Sequence, residues 1–60
     1  MSADDKLTEL ASIAGSSNRH QFLMREVPLV TLRQMADLCG VGDAEDMTKG
    51  QVVRAIEENF

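Results

Sequence analysis

Thr31-Leu32-Arg33-Gln34 and Thr48-Lys49-Gly50-Gln51 carry one local pattern twice, seventeen residues apart, and each stands before an apolar run. Threonine followed three residues on by glutamine can form a capping box, in which each side chain satisfies a backbone N–H that the first helical turn leaves unpaired. Two helix starts are thus expected, with Gly40 between them where a left-handed helix C-terminus takes glycine. Leu32, Met35, Ala36 and Cys39 fall on one face of the first helix, with Leu38 at its edge and Arg33, Gln34 and Asp37 outside. Val52, Val53, Ile56 and Phe60 form the stripe of the second, predicted over residues 49–60. Residues 42–46 read as a short acidic loop, after which Met47 brings the chain back to the core.

Working back toward the start, Ser2 with Asp5 is a helix-start signal, and Asp4 and Asp5 suit the positive end of a helix dipole. Leu7, Leu10, Ala11 and Ala14 follow at helical spacing, so a helix is predicted over residues 4–14, closed by Gly15. Gly15-Ser16-Ser17-Asn18 is a turn cluster that supplies cap chemistry to a two-turn element at residues 19–26. That element turns Phe22 and Leu23 inward and Arg19, Gln21 and Arg25 outward, leaving Met24 a candidate for exposure. Pro28 limits it, because the residue before a proline avoids helical geometry and Val27 is therefore expected to be extended. No strand is predicted: the one extended candidate, residues 27–31, contains Pro28 and has no partner of like character.

Sixty residues make at most one domain, and a chain of this length buries only about 60% of its unfolded surface. With 43% hydrophobic and 27% charged residues the composition is that of a folded chain rather than a disordered one. Cys39 is the only cysteine, so no disulfide or paired-thiol metal site can form within the chain, and a packed thiol in a reducing compartment is expected. No apolar run approaches the ~20 residues of a membrane span, and the acidic start Met1-Ser2-Ala3-Asp4-Asp5 is unlike a signal peptide. An intracellular protein, cytoplasmic or nuclear, with no membrane association is expected. The net charge of −4 is uneven, with residues 16–30 at +1 and residues 43–60 at −3. Strong non-specific binding to nucleic acid by charge alone is disfavoured, since such domains are normally basic.

The run from Leu32 to Val41, then a short loop, then Met47-Thr48-Lys49-Gly50-Gln51-Val52-Val53-Arg54-Ala55-Ile56, resembles a helix–extended loop–helix unit. That superfamily includes the N-terminal domain of the transcription terminator Rho, the SAP motif and the LEM domain; the Rho-type pattern is the most similar, over residues 29–60. The resemblance implies a non-enzymatic module that contacts DNA or RNA through the start of its second helix, or else contacts other proteins. Lys49 matches the family's basic residue at that helix start, Thr48 takes a neighbouring position, and Gln51 matches the acid-or-amide position. Two features depart from the pattern. SAP motifs place glycine and a second basic residue where this chain has Asp46-Met47-Thr48, and the preceding loop is acidic.

The residues themselves allow the same reading. A helix N-terminus offers free N–H groups and partial positive charge, so Thr48, Lys49 and Gly50 can receive a phosphate. Arg33, Arg19, His20 and Arg25 would add to that site if the fold brought them to it; the competing reading is scattered, solvated basic residues. Arg54 lies off the Lys49 face. Phe22 and Phe60, the only aromatics, read as core rather than as stacking platforms. The alternative function is a protein–protein adaptor, or an acidic inhibitor of a nucleic-acid-binding protein. Its basis is the acidic set Asp43, Glu45, Asp46, Glu57 and Glu58, with methionines at 1, 24, 35 and 47 as pliable apolar surface. Catalysis is not expected: His20 is the only histidine, and Ser16 and Ser17 beside it are explained by turn and cap roles. No metal-ligand spacing occurs, so no metal, cofactor or small-molecule substrate is expected. The expected architecture is an all-α domain of three to four helices. Residues 1–28 brace the helix–extended loop–helix unit of residues 29–60 and contribute Leu7, Leu10 and Ala14 to a shared core.

Overall fold

The second of the two Thr-x-x-Gln segments starts a helix and the first does not. In the computed structural model, which describes residues 2–60, Thr48 is the N-cap of α4 (Lys49–Asn59) and its box is complete. Thr48 Oγ1 accepts from Gln51 N at 3.4 Å, and Thr48 N donates to Gln51 Oε1 at 2.9 Å. The preceding long helix, α3 (Leu29–Leu38), begins instead at Pro28, whose extended ψ of 157° feeds directly into the helix. Leu32 N donates to Pro28 O at 2.9 Å, so Thr31 already lies inside the first turn, buried among its neighbours. Proline excludes the helix from the residue before it but suits the first turn, and that second property moves the start ahead of Thr31.

Gly40 does what its position predicts. Its φ of 90° lies in the region glycine enters freely, Gly40 N donates to Asp37 O, and Val41 N reaches back to Ala36 O at 2.9 Å. This is a Schellman termination, and it folds Val41 against the core. The acidic loop contains one turn of 3₁₀ helix, Ala44–Asp46, whose Ala44 is buried against α3. Met47 packs on the core just before α4.

Two further helices precede this pair. α1 (Ala3–Ala11) is capped by Ser2, which accepts from Asp5 N at 3.2 Å. It ends three residues earlier than its apolar spacing suggests, because Ser12 Oγ donates to Glu9 O at 2.7 Å and competes for the last turn. α2 (Ser16–Arg25) starts three residues earlier than expected. Gly15, with φ 89°, occupies the N-cap, so Ser16, Ser17 and Asn18 are helical rather than turn, and no side chain among the described residues caps this helix.

α3 and α4 pack on each other, α1 covers α3, and α2 covers α4. Leu10, Leu23, Val27, Leu32, Met35, Val52, Val53 and Ile56 are almost fully buried in one continuous cluster drawn from all four helices and the α2–α3 link. Leu7, Phe22 and Met24 pack against its edge. The chain is all-α, with no strand among the described residues.

Several side chains depart from their predicted places. Ala14 is exposed beyond the end of α1, and Phe60 follows the last turn of α4 and is 54% exposed. Cys39 is half-buried, at the end of its stripe, and burial pushes its thiol above the ordinary value. Arg33, assigned to the outer face, is half-buried, and so is Lys49. Met1 lies outside the described residues; of the other methionines, Met35 is buried, while Met24 and Met47 are partly so.

Candidate nucleic-acid interface

The capping box leaves a defined surface at the start of α4. Thr48 N and Gln51 N are satisfied by the reciprocal bonds, whereas the N–H groups of Lys49 and Gly50 belong to the set that no helical carbonyl can reach. Gly50 is exposed, and a methyl group built on it would meet nothing within 4 Å. The backbone of this turn is thus open to close approach, and the helix dipole adds partial positive charge there. Among the described residues Lys49 makes no ion pair.

Arg33 joins this surface from the neighbouring helix. Its Nη2 donates to Met47 O at 3.4 Å, placing the guanidinium at the residue just ahead of the Thr48 cap. Its Nε is buried and has no hydrogen-bond partner among the described residues. The negative side of the balance is nearby: the 3₁₀ turn presents Glu45 and Asp46, with Asp43 at its N-cap.

The other predicted cations go elsewhere. His20 Nδ1 lies 3.3 Å from Glu57 Oε2, tying α2 to the C-terminal half of α4. Glu57 is nine residues from Thr48, about 13 Å along the helix axis at 1.5 Å per residue. Arg19, one residue from His20 on α2, donates through Nη1 to Ile13 O at 3.2 Å. Arg19 and His20 thus stand near the far end of α4 and do not extend the Lys49 surface into one patch. Arg25 is exposed at the end of α2 and makes no ion pair among the described residues. Arg54 pairs with Glu58 at 3.3 Å.

Ser16, Ser17, His20 and Glu57 line a shallow depression, and the His20–Glu57 contact is the orienting half of a nucleophile–base arrangement. No hydrogen bond joins either serine to His20 among the described residues, and His20 is about half exposed. The depression is open to water, so it lacks the enclosure that gives such groups catalytic strength. Among the described residues no three His, Cys, Asp or Glu side chains are grouped to hold a metal ion. No helix among them is long and apolar enough to cross a membrane.

Neither protein-family models, nor curated proteins, nor solved structures gave a match to this chain.

Proposed function

We propose that the chain is a non-enzymatic accessory module that contacts DNA or RNA phosphates at the start of α4, in the manner of the helix–extended loop–helix group it resembles. The observation that carries this reading is the convergence of two helices on one anion-favouring spot. α4 supplies the open Lys49–Gly50 turn, and α3 supplies Arg33, bonded to Met47 O next to the cap. Thr48 shapes the turn by accepting from Gln51 N, and its own O–H remains a donor from which a phosphate oxygen can accept. His20 and Arg19 are left out of this reading, since His20 meets Glu57 toward the other end of α4 and Arg19 bonds Ile13 O.

Two cations beside an acidic 3₁₀ turn make a weak and salt-sensitive site. Neutralising two phosphates gives a slope of log K against log salt of about −2, against −6 or steeper for domains that bind DNA strongly. Such a module adds register or avidity to a larger assembly rather than binding tightly alone.

Titration of the labelled protein with duplex and single-stranded oligonucleotides, at low and moderate salt, tests this. Amide shifts centred on Thr48, Lys49 and Gly50 are expected, fading as salt rises and lost in Lys49→Glu with the fold intact by circular dichroism. An unchanged spectrum at low salt would remove the reading.

A further inference from the structure

On the other side of Arg33 the outer face of α3 and the 3₁₀ turn line an open groove in which the apolar side chains of Val30, Val41 and Ala44 alternate with polar ones, a carboxylate standing on each element. Val30, 65% exposed, opens it, and Val41, folded back by the Gly40 turn, closes it. Asp37 stands on the α3 wall and Glu45 on the opposite one. Gly42 leaves the space between open, since a methyl group there would meet nothing within 4 Å. Arg33 keeps its positive charge while donating to Met47 O, so the lining sets one cation against two carboxylates, and neither Asp37 nor Glu45 has an ion-pair partner among the described residues.

We propose that this groove is a docking site for a basic amphipathic helix of a partner protein. Its apolar side chains would lie between Val30 and Val41, and its lysines or arginines would meet Asp37 and Glu45. Charge complementarity selects that occupant. Unpaired carboxylates on facing walls repel phosphate, which sets this surface apart from the start of α4. They also disfavour a second copy of this chain: at net charge −4, a symmetric pairing of grooves would oppose carboxylate to carboxylate. A helix is the natural shape. Val30 and Asp37 lie two turns apart along a ten-residue α3 of about 15 Å, the span of roughly three turns of a helix laid beside it. The proposal does not depend on nucleic-acid binding, and the two surfaces share only Arg33.

The test uses the labelled protein and two short synthetic helical peptides with the same leucine stripe, one flanked by lysines and the other by glutamates. The lysine peptide is expected to shift the amides of Val30, Asp37, Val41 and Glu45, while the glutamate peptide leaves them unmoved. Replacing Asp37→Lys and Glu45→Lys together should weaken the lysine peptide about tenfold or more. Val30→Asp should do the same by removing the apolar contact. All three positions are exposed, so the thermal melt of each variant should match that of the parent. Equal binding of both peptides, shifts centred elsewhere, no shifts, or insensitivity to these substitutions overturns the proposal. So does self-association of the protein alone that moves the same amides on dilution, which would place a second copy in the groove. Retention of peptide binding in Lys49→Glu separates this site from the phosphate site.

Discussion

Gly40 and Cys39 lie next to each other at the end of α3 and obey different constraints. Gly40 is held at φ 90° by two backbone hydrogen bonds, and the space around it is empty. Gly40→Ala therefore tests backbone conformation without steric clash: a loss of about 1–2 kcal/mol is expected from urea unfolding, the usual cost of left-handed geometry for a residue with a Cβ. A loss near zero would mean that the turn relaxes. The Cys39 thiol is pushed up by burial, which favours its neutral form. Alkylation near neutral pH should accordingly run slower than in the urea-unfolded chain, as read by mass spectrometry. The sign for stability follows. Cys39 contributes below the ordinary thiol range, and that contribution is lost as pH rises through its raised value. Equal alkylation rates in both states would contradict the burial of this thiol.

Helix starts show why identical motifs are not equivalent. Thr48 and Gln51 make both bonds of the capping box, so Thr48→Ala should cost about 1 kcal/mol. Gln34, at the same place in the other motif, is exposed on a helix that Pro28 has already begun. Gln34→Ala should stay within about 0.5 kcal/mol of the parent. Thermal melts of the two alanine variants, compared side by side, check this, and equal losses would refute the assignment of the α3 start to Pro28. The same comparison bears on what a sequence can reveal. Helices α3 and α4 and their inner faces were readable because a 3.6-residue period is a local property. The start of α3 is ambiguous in the sequence because two legitimate start signals, Pro28 and Thr31, compete within one turn. The end of α1 was misplaced because a serine hydroxyl outbid the apolar spacing of Ala14.

For the molecule as a whole, the two N-terminal helices are structural partners of the C-terminal pair, not appendages. α1 covers α3 and α2 covers α4, and the buried cluster is continuous through Leu10, Leu23, Val27 and Met35. A chain of sixty residues has a total stability of about 3–9 kcal/mol, whereas truncating a buried leucine costs about 2–5 kcal/mol. Leu10→Ala is thus expected to remove about half of that stability and to speed amide exchange at Val52 and Val53 on α4, although Leu10 is far from them in sequence. Hydrogen exchange is the measurement: surviving protection at Val52 and Val53 would show that residues 29–60 hold together without the brace.

The all-α class, the Gly40 termination, the Thr48 box and most of the buried stripe follow from residues within a few turns of one another, where stereochemistry and periodicity act directly. The candidate site does not. Thr48, Lys49 and Gly50 were legible as a helix start, but Arg33 joins them only because α3 packs against the approach to α4 and folds the guanidinium onto Met47 O. The same packing sends His20 to Glu57 and leaves Arg19 at that distant end, so a list of basic residues could not be turned into a surface. Charge positions are written in the chain, whereas distances between charges on different helices depend on which faces the apolar stripes bring together.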